Sequence, residues 1–242
     1  MADLNKLCEL GDQSPKDFLP NLKSFRAECC EKIVCISPIA KSQYLQEVWL
    51  QYCDTLEEVF KMDEQLIDNS SSTELGNDEA AQPQPLLSNL QSLRLESLDN
   101  LRRIIEGPIR NVSLRSLKVI KVGRCSELKF LFSASLVQTL ELLEELEIEH
   151  CFRLEAVFLE QDESDINETK PNSCFGLPNL KTLSVYDCER LEYLLPSPRA
   201  RGEELELPLL YGGDDSTSWF SFVFGRPVSC SKLAVSNDIH KP

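Results

Sequence analysis

The stretch LEELEIEHCFRLEAVF, residues 143–158, carries the pattern that decides the fold. It fits the template L-x-x-h-x-h-x-x-C-x-x-h-x-x-h, in which h is an apolar residue and x is any residue. The template occurs six times, and in five copies its ninth position is a cysteine. The copies begin at Leu22, Leu45, Leu90, Leu117, Leu143 and Leu180. A pattern that recurs in this way predicts a stack of similar structural units.

Each part of the template has a physical reading. Positions four and six are apolar on either side of one polar residue, which predicts a short strand with one buried face. The ninth position is expected to turn the backbone away from the strand and to point a small thiol inward, where it donates weakly to a backbone carbonyl. Positions twelve, fifteen and sixteen supply apolar residues for the return path. One unit cannot bury its own apolar face, whereas stacked units share a core.

The copies resemble a known kind of repeat. Their endings CDTLEEVF, CSELKFLF and CFRLEAVF, with LPNLK openings at Leu19 and Leu177, resemble the leucine-rich repeats of plant nucleotide-binding immune receptors. The closest likeness is to the coiled-coil class of disease-resistance proteins, above all in LKFLFSASLVQTLELLEELEIEHC, residues 128–151. The resemblance implies an α/β solenoid. It would be an irregular leucine-rich-repeat horseshoe with a curved parallel β-sheet on the concave face and a loop-rich convex side.

The spacing of the copies indicates the domain organisation. Residues 17–196 hold the repeats, with acidic insertions at 61–85, net charge −5, and at 159–175, net charge −4. These insertions are expected to be solvated loops, or an acidic surface that contacts a basic partner. Residues 1–16 are expected to be an N-terminal edge or partial repeat. Residues 197–242 lose the template and form a divergent tail, which could cap the core through its aromatic cluster or have no fold of its own.

Composition argues against several functional classes. Forty acidic and 25 basic residues give a net charge of −15, which disfavours binding to nucleic acid phosphates or to an anionic membrane surface. Only two histidines are present, so histidine-based catalysis and His-rich metal sites lack ligands. No Gly-Lys dipeptide occurs, so the phosphate-binding loop of the receptors' nucleotide-binding module has no counterpart in this chain. We expect a protein that is not an enzyme and needs no cofactor or metal.

Two further patterns suggest the compartment. The first twenty residues contain no apolar segment of a signal peptide, and no run of about eighteen apolar residues could span a membrane. The ten cysteines include no C-x-x-C pair, which argues against a zinc ribbon. We therefore expect a cytoplasmic protein without a membrane span and with reduced thiols.

Candidate recognition residues follow from the register of the template. Positions three, five and seven of each copy are expected on the concave strand face. The candidates there are Arg26, Glu47, Trp49, Gln51, Arg94, Glu96, Lys121, Glu145, Glu147, Glu149, Ser184 and Tyr186. Trp49 and Tyr186 are expected to be exposed aromatic residues that anchor a partner, and the alternative for Trp49 is that it packs on neighbouring strand residues.

Charged residues on this face have alternative readings. Lys121 is expected to lie beside Glu147, in an exposed pair worth about 0–1 kcal/mol. The glutamates at positions 145, 147 and 149 are more simply explained as a solvated face than as an acid catalyst or metal site. His150 and Cys151 are adjacent only in sequence, because the thiol should point inward and the imidazole outward.

The resemblance implies protein recognition in plant defence. Repeats of this family sense pathogen effectors or guarded host proteins and restrain a nucleotide-binding switch. The expected partner is a protein, either an effector, a host protein or the nucleotide-binding domain of a receptor. The alternative is a stand-alone leucine-rich-repeat adaptor, such as the substrate receptor of a ubiquitin ligase. Neither an F-box nor an I-T-D-x-x-L segment is found in the sequence.

Overall fold

The computed structural model describes residues 21–62, 85–159, 176–191, 219–223 and 228–229. A 3-10 helix spans Ser37–Lys41, and a single-turn helix α1 spans Ala134–Val137. The strands are β1 Ser24–Glu28, β2 Glu47–Gln51, β3 Glu58–Lys61, β4 Ser92–Glu96, β5 Arg103–Glu106, β6 Val119–Gly123, β7 Phe132–Ser133, β8 Glu145–Glu149, β9 Phe158–Leu159, β10 Gly176–Leu177, β11 Thr182–Tyr186, β12 Trp219–Val223 and β13 Val228–Ser229.

Six of the strands form one parallel sheet in the order β1-β2-β4-β6-β8-β11. Each comprises positions three to seven of one copy of the template, and each pairs with the equivalent positions of the next copy. Phe25 thus pairs with Val48, and Val48 with Leu93. The strand phase predicted from the sequence is therefore confirmed. Parallel strands with few helices are compatible with a leucine-rich-repeat-like α/β fold, whereas the horseshoe curvature stays a prediction.

One continuous core lies against this sheet. Positions four, six and twelve are buried in every copy. Position nine is buried from the second copy onward. The side chains at position four are Phe25, Val48, Leu93, Ile120, Leu146 and Leu183, and none is more than 4% exposed. Burying each such side chain contributes about 1.5–3 kcal/mol. Because these residues belong to one cluster, each repeat is stabilised mainly by its neighbours.

The backbone turns out of each strand at the eighth position, one residue earlier than the sequence predicts. Its occupants share a left-handed backbone with φ between 51° and 54°, although none is a glycine; they are Cys29, Tyr52, Ser97, Arg124, His150 and Asp187. In each of the first five copies, the amide N–H of this residue donates to the carbonyl of position seven in the next strand. That bond extends the ladder while the chain turns, so the strain is offset by a hydrogen bond.

The ninth position points inward, as the template predicts. Every cysteine in this column donates its thiol to the carbonyl of position seven, as Cys125 does to Gly123 at 3.4 Å. Hydrogen bonding with Cys125, together with burial, raises the pKa of Cys151 to about 12. The Cys151 thiol therefore stays protonated at neutral pH and lacks the thiolate that reactive cysteines need.

The return side of the repeats is more regular than the predicted loops. Positions fourteen to seventeen of the second and third copies pair as parallel strands β3 and β5. Positions sixteen and seventeen of the fourth and fifth copies pair as β7 and β9. Apolar residues at positions fifteen and sixteen, including Val59 and Phe60, bury this second ladder against the core.

Most of the segments outside the template lie beyond the described residues. These are the edge at 1–16, nearly all of both acidic insertions, and most of the tail at 197–242, including Phe224. Two pieces of the tail are described. Strand β12 pairs antiparallel with β11, and β13 pairs antiparallel with β10. The tail thus adds a strand beside the last repeat, while its capping role stays a prediction.

Replacing Leu146 with Asp tests the repeat phase. The side chain is 2% exposed, so the carboxylate would be buried without a partner, and we expect a loss of about 4 kcal/mol or more in the free energy of unfolding. Leu142→Asp is the control, because that leucine is 44% exposed and precedes the same strand. Urea unfolding of both variants gives the comparison. Equal stabilities for both variants would contradict the phase.

A second test concerns the left-handed eighth position. Ser97→Val places a β-branched side chain at φ 52° and is expected to destabilise the protein by about 1–2 kcal/mol. Ser92→Val, at position three of the same copy, lies in extended strand β4 and is expected to be neutral or slightly stabilising. Thermal unfolding of the two variants separates the effect of backbone strain from the effect of losing a hydroxyl. A melting temperature lower for Ser92→Val than for Ser97→Val would contradict this account.

Candidate functional site

The candidate site is the open face of the six parallel strands, formed by positions three, five and seven of each strand. Its residues alternate with the buried ones, as in β1, where Phe25 and Ala27 are buried and the three residues around them are exposed. All twelve candidates from the sequence lie on this face, and all are exposed or half-buried. Their role in recognition stays a prediction. The register divides the face into three rows that run across the strands. The first row holds the residues at position three, the middle row those at position five and the third row those at position seven.

The middle row contains a stacked cation and indole. The Arg26 guanidinium carbon lies 3.3 Å from the centroid of the Trp49 ring, on the neighbouring strand. Trp49 is half-buried rather than exposed. Of the two interpretations of this residue, packing against a neighbouring strand therefore fits the structure. A cation–π contact of this kind contributes about 0.5–1 kcal/mol at a surface. It also holds the indole in one orientation.

Lys121 bridges two carboxylates further along the same row. Its Nζ lies 2.6 Å from Glu147 Oε2, in the predicted pair, and 2.7 Å from Glu145 Oε1, which the sequence did not predict. Hydrogen bonding with Glu145 and then Glu147 raises the pKa of Lys121, and the same contact lowers the pKa of Glu147. The lysine charge is therefore neutralised within the face. Because these side chains are about a third exposed, the pairs add little to stability.

A missing side chain shapes the third row. Gly123 occupies position seven of β6, and a Cβ there would clash with the carboxylate of Glu96 on β4. Glu96 uses this space to reach across the row, where its Oε1 accepts from Arg124 Nη1 at 2.5 Å. The sequence pattern predicts Glu96 on this face but does not predict its pair with Arg124. The signal that could have found the pair is the glycine within an otherwise regular strand.

Glu149 is held in an unfavourable electrostatic setting. Partial burial raises its pKa, and hydrogen bonding with the Glu147 carboxylate and the charge of nearby Glu96 raise it further. Among the described residues no lysine or arginine lies within ion-pair distance of its carboxyl group. Glu149 is therefore a carboxylate that no lysine or arginine among the described residues neutralises.

The edge of the face contains a histidine that reaches the last repeat. His150 Nδ1 lies 2.8 Å from Asp187 Oδ2, and its ring meets Tyr186 edge-on at 4.9 Å. Tyr186 is half-buried. Cys151 is buried in the core, as predicted, whereas the His150 ring contacts Asp187 and Tyr186. The pair with Asp187 was missed, although both residues occupy the eighth position.

Within the described ranges, no group of three or more His, Cys, Asp or Glu residues is arranged to hold a metal ion. No helix in these ranges has both the length and the apolar character to cross a membrane.

The repeated template and its parallel ladder of strands are typical of leucine-rich-repeat proteins. Residues 1–152 match the family described as plant disease resistance protein RPS2-like, leucine-rich repeats. This match covers more than half of the 242 residues, with the first four copies of the template and most of the fifth, so the chain belongs to that family. No curated protein and no solved structure matches the chain. Family membership supports a defence-related role in protein interaction.

Glu149→Gln tests the electrostatic setting of this carboxylate. The pKa of Glu149 is higher in the folded protein than its ordinary value of 4.5, so its ionisation disfavours the fold. This penalty is present above the folded-state pKa and disappears below the unfolded-state pKa. The variant should therefore be more stable than the unmodified chain at pH 7, and the difference should shrink as the pH falls toward about 4.

Urea unfolding at both pH values provides the measurement. Glu28→Gln is the matched control, because Glu28 lies in the same row on β1 with its side chain 52% exposed and Arg26 at 3.5 Å. The control should gain no stability at pH 7. A gain of equal size in both variants would trace the effect to overall charge rather than to Glu147 and Glu96.

Proposed function

We propose that this chain is a protein-recognition module in plant defence that senses a pathogen effector or a guarded host protein. We further propose that it restrains a nucleotide-binding switch until that partner binds. The observation that carries the proposal is the open face, where charged and aromatic side chains stand on strands whose other side is buried. Membership in the disease-resistance family also supports a defence-related role in protein interaction. The proposed role is binding rather than catalysis.

The geometry suits a recognition surface because its side chains are already positioned. Arg26 fixes Trp49, two carboxylates fix Lys121, and Arg124 fixes Glu96. Fewer side chains then lose freedom when a partner binds, which favours affinity. The pattern of charges along the rows would select among partners, since like charges brought together are costly.

The size of the face indicates how a partner would sit. Six strands about 4.8 Å apart and five residues long span an area on the order of 400 Å². A standard protein interface buries about 800 Å² on each partner. The partner is therefore expected to reach beyond the strands, onto loops such as those with the exposed Tyr52 and Phe152.

The horseshoe and the location belong to the same proposal. The 3-10 helix and α1 lie on the return side, where they take more room than extended strand would, and this supports a sheet that curves around its open face. The seven described cysteines are free thiols, which suits the reducing cytoplasm.

Proximity labelling in leaf tissue tests the proposal. The chain is fused to a promiscuous biotin ligase, and labelled proteins are quantified with and without bacterial challenge. Glu147→Lys, on the open face, should weaken partner binding about tenfold and remove challenge-dependent labelling. The matched control is Glu155→Lys, an exposed position on the return path of the same copy. Challenge-dependent labelling that survives both substitutions equally would overturn sensing through the open face.

A further inference from the structure

We propose that Arg94, beside Trp49, is the point on the open face that binds a carboxylate side chain of the partner protein. The inference rests on the proposed function and deepens it, because it gives the chemistry of the partner. It predicts that the recognised segment carries an aspartate or glutamate. The argument starts from the basic residues of the face.

Among the described residues, four lysine and arginine side chains stand at position five or eight of the six template copies, and three of them are already engaged. Arg26 stacks on Trp49 and lies 3.5 Å from Glu28. Lys121 contacts two carboxylates. Arg124 contacts Glu96 at 2.5 Å. Within the described parts of the chain, Arg94 alone among the four has no ion-pair partner.

The position of Arg94 makes this charge accessible. It occupies position five of β4, which is the third of the six parallel strands, and it is exposed. Its ladder neighbours are Trp49 on one side and Lys121 on the other. Arginine and tryptophan in the middle of a surface are typical of the residues that dominate binding energy. A planar guanidinium also fits a carboxylate with two parallel hydrogen bonds.

The surroundings favour a single carboxylate over a larger anion. Glu96 lies on the same strand as Arg94 and Glu47 on the adjacent strand, and the charge of Arg94 already lowers the pKa of Glu147. These carboxylates would repel a phosphate dianion more strongly than a monoanion. The net charge of −15 likewise disfavours an extended polyanion. An acidic side chain on a protein segment is therefore the ligand that this point accepts.

Selection of peptides on the full chain tests the inference. A displayed library of random twelve-residue peptides is selected on the unmodified protein, and the binders are sequenced. Their affinities are then measured by fluorescence polarisation for the unmodified chain and for Arg94→Glu, Arg94→Lys and Arg102→Glu. Arg102 is the matched control, since it lies in the same copy on the return path and is 67% exposed.

The binders should be enriched in aspartate and glutamate. Arg94→Glu should weaken them by about tenfold or more, Arg94→Lys by a smaller factor because the paired hydrogen bonds are lost, and Arg102→Glu by less than about twofold. Binders that lack acidic residues, or that lose equal affinity in the Arg94 and Arg102 reversals, would overturn the inference. Far-ultraviolet circular dichroism confirms that each variant is folded.

A further variant separates this inference from the proposed function. Trp49→Ala alters the open face without changing its charge. Binders that depend on Trp49 and ignore Arg94 would overturn only the carboxylate site. Binders that ignore both residues, or a library that yields no binder, would count against recognition through the open face itself.

Discussion

Backbone hydrogen bonds between equivalent positions of neighbouring repeats place every residue of the parallel sheet. Position four meets position four from β1 through β11, although the copies begin 23 to 45 residues apart in the sequence. A shift of one residue in any strand would turn its buried side chains toward the open face. The burial of Leu146 and its equivalents therefore holds the register, and the register determines which side chains become neighbours on the open face.

The sequence predicts most of this framework because burial has a simple period. The strands, the inward thiols and the pair of Lys121 with Glu147 follow from template positions alone. The left-handed eighth position could not be read in the same way. Its occupants, which include Tyr52 and Arg124, share no residue type that favours this backbone. At this position, hydrogen bonds to the next strand impose a backbone conformation that the local sequence does not predict.

The finer arrangement of the open face depends on the reach of side chains, which a pattern of positions does not contain. Glu96 crosses to Arg124 because Gly123 leaves space between them. Lys121 reaches Glu145 as well as Glu147 because its long chain can bridge two positions of the next strand. These engagements decide which charges remain available to a partner. Arg94 and Glu149 stand out only after the other charges have been assigned.

The shared register also bears on how such a surface can change in evolution. Since the segments between copies vary in length while the strands stay aligned, recombination that duplicates or deletes one whole copy leaves the remaining ladder intact. One added copy would widen the sheet by about 4.8 Å and insert one new side chain into each row. The distance between two existing contacts, such as Arg94 and Glu147, would then grow by one strand in a single genetic event. Partner preference could thus shift in discrete steps, without any substitution in the core.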